Sequence, residues 1–400
     1  MKEFGKRTVS WAQAALAAIG LLGMVVGVGQ SLAAQEASGQ VVTAYLDYRE
    51  VSFDVVHWPL KFTKQSSAFK KEPNLSPSNV LRGMLQFGSG ATNEMAFAWD
   101  RASGKLYLDL NRNLDLTDDP AGVFSNAHGF GMGYGYFTNV HLPLRAPAGE
   151  FRALADLTLN SSMGLQCSVA MKWFWQGKVT LQGAEWQIGL QSSLLGPNAT
   201  LESGSLLLRP WAERNKPFRF YGGSLETFPF SRNLFVANHA YQVQCTAEAT
   251  KVRVQLTEQQ PTLGELKITG DSVHRVTLEG GPYVVVVDKP EAVVKIPVGS
   301  YGAYKVCLMK GDVEAILAGP EQTADRRITI SDKKPAVLTA GGPLTNSVAV
   351  SRQGRKLALS YKLLGAGGAY EVADRDRLHP PEFMVYQGDR KIGSGEFQYG

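Results

Sequence analysis

The chain has 400 residues, 41 of them Lys or Arg and 36 Asp or Glu, for a formal net charge of +5. A balance this near neutrality, without a dense Lys/Arg run, argues against a nucleic-acid partner. Three cysteines are too few for a disulfide framework, so the fold must rest on ordinary apolar cores, and the length has room for two or three domains.

Lys2, Lys6 and Arg7 precede an uncharged stretch from Val9 to Leu32, apolar between Trp11 and Gly29 except at Gln13. Ser31 and Ala33 place small residues at the minus three and minus one positions. The segment 1–33 therefore reads as a secretory signal cleaved after Ala33, which implies a secreted or periplasmic protein of the cell envelope. The other reading is an uncleaved anchor, since about 20 apolar residues also span a bilayer. Membrane contact would then come through this segment alone. No cysteine follows the apolar core, which argues against a lipoprotein anchor.

Beyond residue 33, period-two alternation dominates, and 42 glycines and 19 prolines fit many turns between short strands. The expected fold class is all-β: a larger N-terminal β domain over 34–256, then two small β-sandwich-like modules at 257–335 and 336–400. Ser78 to Leu85 is a short helical candidate. Met95 to Trp99 and Leu106 to Leu110 read as strands around the turn Asp100–Gly104, and an Asn/Asp-rich loop follows as far as Pro120. Gly129 to Phe137, with glycine at every second position to Gly135, reads as a mobile loop.

Residues 167–190 read as a meander. Cys167 to Trp175 alternate, Gln176-Gly177 turns, Val179 and Leu181 alternate, Gln182-Gly183 turns, and Trp186, Ile188 and Leu190 follow. Cys167 shares a face with Val169, Met171 and Trp173, and Cys245 shares one with Tyr241 and Val243. A core bridge between these two, with Cys307 left over, and three buried thiols are both open, because spacing alone does not show proximity.

Gln259 to Gly264 looks like a joint, after which the chain turns to Val-rich strands separated by Gly and Pro. Leu278-Glu279-Gly280-Gly281-Pro282-Tyr283 is echoed by Leu338-Thr339-Ala340-Gly341-Gly342-Pro343-Leu344, the basis for expecting two modules. Tyr283 to Val287 is an apolar run, Asp288-Lys289-Pro290 turns it, and Val294 to Tyr301 returns. This stretch resembles the transthyretin-like or carboxypeptidase-regulatory type of β-sandwich found in exported bacterial proteins. Leu357, Leu359, Tyr361 and Leu363 alternate after the turn Arg352-Gln353-Gly354-Arg355, and the stretch from Gly365 to Gly400 resembles the C-termini of exported proteins of environmental Gram-negative bacteria. That likeness implies no activity.

The sharpest motif is Asp109-Leu110-Asn111-Arg112-Asn113-Leu114-Asp115-Leu116-Thr117-Asp118-Asp119-Pro120. It resembles an EF-hand-type calcium loop or the related D-x-N-x-N-x-D loops of secreted proteins. A hard cation of six to eight coordination takes oxygens at alternate loop positions. Asp109, Asn111 and Asn113 offer side-chain oxygens, Asp115 stands where a backbone carbonyl coordinates, and Asp118 or Asp119 would supply the closing acid. Two departures weaken the likeness. Pro120 occupies the position of the bidentate Glu, and Leu114 stands where glycine permits a positive φ, at a cost of about 1 kcal/mol or more. Binding would then be weak, or the backbone path different. A hairpin, not a pair of helices, flanks the loop, and the competing reading is a solvated Asn/Asp turn without metal.

Histidines 57, 128, 141, 239, 274 and 379 show no zinc spacing, and the sequence contains no G-x-S-x-G elbow, C-x-x-C pair or P-loop. No catalytic residue is assigned. Rings in Arg209-Pro210-Trp211, Phe218 to Gly223 and Phe228-Pro229-Phe230 either stack on sugar faces or cover the end of a β core. The function expected is a non-enzymatic binding or structural protein with a calcium-stabilised loop, its partner a carbohydrate or an envelope protein. The alternative is a polysaccharide-directed hydrolase whose separated carboxylates escape sequence reading.

Overall fold

Alternating apolar residues become strand faces almost wherever they occur. Val252, Val254 and Leu256 are fully buried while Arg253 and Gln255 between them reach the surface, and Met95, Phe97 and Trp99 all point into a core. The computed structural model describes residues 39–397 apart from 65–68, 77, 88–92, 128–132, 147–148, 163, 192–200, 202–203, 217, 219–225, 249–250, 311–312, 319–326, 355 and 373–379. The expected signal segment and cleavage site lie outside the described residues. Among the described residues 70% are in strands and no helix reaches seven residues, so the fold is all-β.

The chain begins with β1 (Val41–Glu50). It continues through β2 (Val56–Lys64), β3 (Val80–Gln86), β4 (Glu94–Asp100), β5 (Lys105–Leu108), β6 (Val123–Ser125), β7 (Tyr134–Ala146), β8 (Gly149–Asn160) and β9 (Gln166–Met171). Strands β2 to β9 make an eight-stranded sheet in the order β6-β5-β4-β3-β2-β9-β8-β7. Its two edges come back together. Ala127 N donates to Tyr136 O at 2.8 Å, and the Asn126 side chain bonds Tyr134 O and Tyr136 N, both at 3.1 Å. Near the other end of β7, the Asn93 carboxamide bonds both the carbonyl and the N–H of Arg145, at 2.9 and 2.8 Å. Curling in this way satisfies edge groups that would otherwise be open to pairing.

The chain then returns beside β1 with β10 (Trp173–Leu181), β11 (Ala184–Gln191), β12 (Ser205–Pro210), β13 (Thr227–Pro229), β14 (Asn233–Val236), β15 (His239–Glu248) and β16 (Lys251–Gln259). These pair antiparallel, with β1 between β10 and β16. One continuous core lies under both groups of strands, joining Phe97, Trp99, Leu157 and Met171 to Trp173, Trp175, Ile188 and Val254. Each fully buried aliphatic side chain there is worth about 1.5–3 kcal/mol.

The remaining strands are β17 (Leu263–Thr269), β18 (Val273–Glu279), β19 (Val284–Asp288), β20 (Val293–Pro297), β21 (Gly299–Tyr301), β22 (Ala303–Lys310), β23 (Val313–Ala318), β24 (Ile328–Ile330), β25 (Ala336–Thr339), β26 (Gly341–Gln353), β27 (Lys356–Ala366), β28 (Gly368–Val372), β29 (Glu382–Gln387) and β30 (Arg390–Glu396). A parallel pairing of β14 with β19 carries the large sheet onward through β18, β22, β23, β28, β27 and β26. Against it stands the three-stranded sheet β20-β17-β25, and the second core between them has a sandwich-like build. Leu266, Leu278, Val306, Leu338 and Tyr370 share this core with Phe235 and Ala240 from β14 and β15. Strands on both sides of the expected boundaries at 256/257 and 335/336 therefore contribute to it. The two echoing segments end strands of different sheets, β18 and β25, whose Leu278 and Leu338 meet in that one core.

Three local expectations are corrected. Residues 80–86 form β3 where a short helix was expected. The backbone there lies so close to β2 that a Cβ on Gly83 would stand 2.2 Å from the Phe62 ring and 2.6 Å from Thr63 O. Gln176-Gly177 is the middle of β10, not a turn: Gly177 faces β1, where a Cβ would come 2.4 Å from Tyr45 O. Gln182-Gly183 does turn, with φ of 50° and 77°. Residues 134–137 open β7, with Phe137 fully buried against Trp99, while 128–132 are not described. Of the two cysteine readings left open, the structure shows free thiols: Cys167 and Cys307 are buried and Cys245 is half-buried. Burial pushes the Cys167 thiol up to about 12, which leaves it unreactive.

Candidate metal centre

The Asn/Asp loop connects β5 and β6, which pair antiparallel with Tyr107 opposite Val123. Asp109 N still donates to Ala96 O at 2.9 Å, so the loop leaves the sheet just after the last laddered residue. It returns through a single 3-10 turn, Pro120–Gly122, packed so tightly on the strand that a Cβ on Gly122 would stand 2.2 Å from Leu108 O. Halfway round, Lys70 N donates to Leu114 O at 2.8 Å and Leu116 N to Lys71 O at 3.0 Å. Leu116 is buried. The Arg112 guanidinium reaches across to donate to Pro143 O on β7. Sequence reading missed the parts played by Lys70, Lys71, Arg112 and Gly122, since each acts through main chain distant in sequence.

Within the loop, side-chain oxygens and successive N–H groups form a chain of Asx turns. Asp109 is 1% exposed, and its two oxygens accept from Asn113 N at 3.1 Å and Leu114 N at 2.9 Å. Asn111 Oδ1 accepts from Asn113 N at 3.0 Å, and Asn113 Oδ1 from Asp115 N at 2.7 Å. The carboxamides of Asn111 and Asn113 both donate to Asp118, at 3.1 and 2.6 Å. Asp119 accepts from Leu110 N at 3.0 Å. The structure thus draws Asp109, Asn111, Asn113, Asp118 and Asp119 into one knot. Asp115 is different: its carboxylate turns to Thr117, accepting from N and Oγ1 at 2.8 and 2.6 Å.

Leu114 sits at φ 67° and Arg112 at φ 62°. The left-handed turn that the motif normally gives to glycine is therefore made here with leucine, held by the N–H bond to Asp109 and the carbonyl bond to Lys70. Charge is held unevenly. Burial pushes the Asp119 carboxyl above its usual range, against the N–H bonds from Asn111 and Leu110, and the neighbouring Asp109 and Asp118 push it the same way. The Thr117 hydroxyl and N–H hold Asp115 below that range. A carboxyl pushed up by burial and by like charges sits where a cation would be favoured. Among the described residues, no three His, Cys, Asp or Glu side chains group as a metal ion would need. A cation here would have to take carboxamide oxygens of Asn111 and Asn113 and backbone carbonyls beside the carboxylates, as hard cations do.

Other polar clusters are committed to the fold. Asp156 is buried, accepts from Tyr136 Oη at 2.7 Å and Asn139 N at 2.8 Å, and pairs with Lys172 at 2.8 Å, pinning the irregular register of β7 between Phe137 and Val140. In the aromatic stretch, Phe218 and Phe228 are buried, and Arg209 lies over the Phe218 ring while bonding Gln187, Glu226 and Arg214 O. Those rings cover a core; residues 219–225 lie outside the described residues. Three histidines stand beside carboxylates, His57 with Asp54, His141 with Glu50 and His239 with Glu258. His128 and His379 lie outside the described residues. A cavity of about 320 Å³ lies between Leu263, the 287–291 turn and Val293, with Asp288, Lys289, Glu291 and Lys295 in its lining. Comparisons with family models, with curated proteins and with solved structures returned no match.

Proposed function

We propose that this chain is an exported, non-enzymatic binding or structural protein of the cell envelope whose 109–119 loop is stabilised by calcium. One observation carries the reading: Asp109, Asn111, Asn113, Asp118 and Asp119 are drawn together around a left-handed turn at Leu114, with the Asp109 carboxylate buried at its base. Calcium would offset the mutual repulsion of three carboxylates, and its tolerance of carboxamide and carbonyl oxygens suits this donor set better than magnesium's strict octahedron. Because the loop joins β5 to β6 and is bonded by Lys70 and Lys71 of the β2–β3 connection and by Pro143 of β7, an ion there would fasten these elements together. The role is then mechanical, holding a β scaffold that presents its surface to a carbohydrate or an envelope protein.

The test is titration calorimetry of metal-stripped protein with calcium and, separately, magnesium. Calcium should bind at roughly 0.1–1 mM, the range of extracellular modules, and magnesium more weakly. No heat of binding for calcium up to several times that range would return the segment to a solvated turn. N-terminal sequencing of protein recovered from the producing cell tests export, with Ala34 expected first.

A further inference from the structure

Among the described residues, fourteen large apolar side chains are left exposed, and eight of them lie between Val337 and Ile392. Four belong to the β26–β27 ribbon, in which Val348 pairs with Tyr361, Val350 with Leu359 and Arg352 with Leu357. Residues directly opposite share a face, so Val348, Val350, Leu357, Leu359 and Tyr361 form one apolar face with Arg352 at its end. Toward the base this face is covered: Phe397 packs on Tyr361 at 5.3 Å and on Phe383 at 5.0 Å. Beyond the Val348–Tyr361 pair the ribbon runs five more residues to its turn, about 16 Å at strand rise. There, among the described residues, β26 has no strand neighbour but β27, and Val350 and Leu357 are 62% and 56% exposed.

The charge of this ribbon is one-sided. Residues 341–366 contain Arg352, Arg355, Lys356 and Lys362 and no Asp or Glu, a local +4 that the near-neutral whole chain conceals. Arg352, Lys356 and Lys362 are exposed. Arg352 ends the apolar face, while Lys356 and Lys362, opposite Gln353 and Ser347, stand on the other face, so aliphatics and bases meet at the tip, where Arg352 and Lys356 flank the turn. Such a tip, without an acid in the ribbon to repel phosphate, complements a surface that is anionic outside and apolar beneath. A soluble anionic polymer would engage the bases and leave Val350 and Leu357 in water.

We propose that the tip of the β26–β27 ribbon docks on an anionic lipid surface, with Val350 and Leu357 entering the headgroup layer and Arg352 and Lys356 pairing with lipid phosphates. Each base near such a surface raises binding about fivefold, and the effect falls with salt.

The experiment is co-sedimentation of the chain beginning at Ala34, so that the apolar segment before it cannot itself bind lipid, with phosphatidylcholine vesicles made with and without phosphatidylglycerol, at low and high salt. Binding is expected only with phosphatidylglycerol and weakens in salt. Arg352→Glu with Lys356→Glu should lower it more than tenfold, and Val350→Ser with Leu357→Ser several-fold, with melting unchanged because these side chains are already in water. Lys267→Glu with Lys295→Glu, exposed on the three-stranded sheet, makes the same net-charge change elsewhere and should leave binding intact. Equal binding to both vesicle types, or equal loss in the Lys267/Lys295 control, overturns the proposal. Full binding by the Val350/Leu357 variant does so too, and assigns the ribbon to a soluble anionic polymer instead.

Discussion

Replacing Asp109 with alanine separates two contributions that the loop reading keeps distinct. The carboxylate accepts two N–H groups, from Asn113 and Leu114, and hydrogen bonds to a charged group are worth about 1.5–3 kcal/mol each. Part of that is returned, because the freed N–H groups lie in a surface loop where water can reach them and because removing one carboxylate relieves Asp119. A loss of about 2–3 kcal/mol in chelator is therefore expected. In about 10 mM calcium the native protein should gain roughly 1.4–2.7 kcal/mol for a dissociation constant of about 0.1–1 mM, and Asp109→Ala should gain nothing. Urea melts of both proteins, metal-stripped and in excess calcium, give all four numbers. An unchanged midpoint for Asp109→Ala in chelator would show that the carboxylate does not hold the loop, and a wild-type midpoint indifferent to calcium would remove the ion.

Leu114→Gly relieves about 1–2 kcal/mol of left-handed strain but loses a half-buried side chain and adds unfolded-state entropy, so stability should change by less than about 1 kcal/mol; a large loss by thermal melting would mean that the side chain, not the turn, secures the loop. Gly177→Ala should cost at least about 2 kcal/mol, since its Cβ would collide with the Tyr45 carbonyl and backbone cannot step aside; a variant melting with the native protein would disprove that close approach. Phe235→Ala should cost about 3–5 kcal/mol, as for large core aromatics, and a fragment of residues 260–400, lacking Phe235 and Ala240, should unfold at lower denaturant than the same strands in the whole chain; equal midpoints by tyrosine fluorescence would show that the second core is self-sufficient. At Asp100, burial alone would raise the carboxyl, but bonds from Ser103 and Ser76 prevail and hold it low. Its contribution is thus present above the unfolded value near 3.9 and lost as pH falls through the folded one, so Asp100→Asn should flatten the acid limb of a stability–pH curve below about pH 4. An acid limb as steep as the native one would count against it.

Fold class was legible because period two is a local property. One buried face forces alternation whatever the partner strand, as Val252, Val254 and Leu256 or Met95, Phe97 and Trp99 show. The strands flanking Asp100–Gly104 and the turn at Gln182-Gly183 were readable for the same reason. Glycine was ambiguous: Gly183 stands in a turn, whereas Gly83 and Gly177 stand where a neighbouring strand leaves no room for a Cβ, and sequence cannot separate these uses.

Only tertiary structure decided what depends on distant partners. Which strands neighbour which is fixed by pairing across a hundred residues or more, as in β1 between β10 and β16, so no local pattern placed Cys167 and Cys245 in different sheets. The loop motif was written in the sequence, but its anchoring by Lys70, Lys71 and Pro143 was not. The basic ribbon shows the same limit. Its acid-free run could be counted from the residues, yet only the packing of Phe397 on Tyr361 determines which aliphatics beside those bases are covered and which face water.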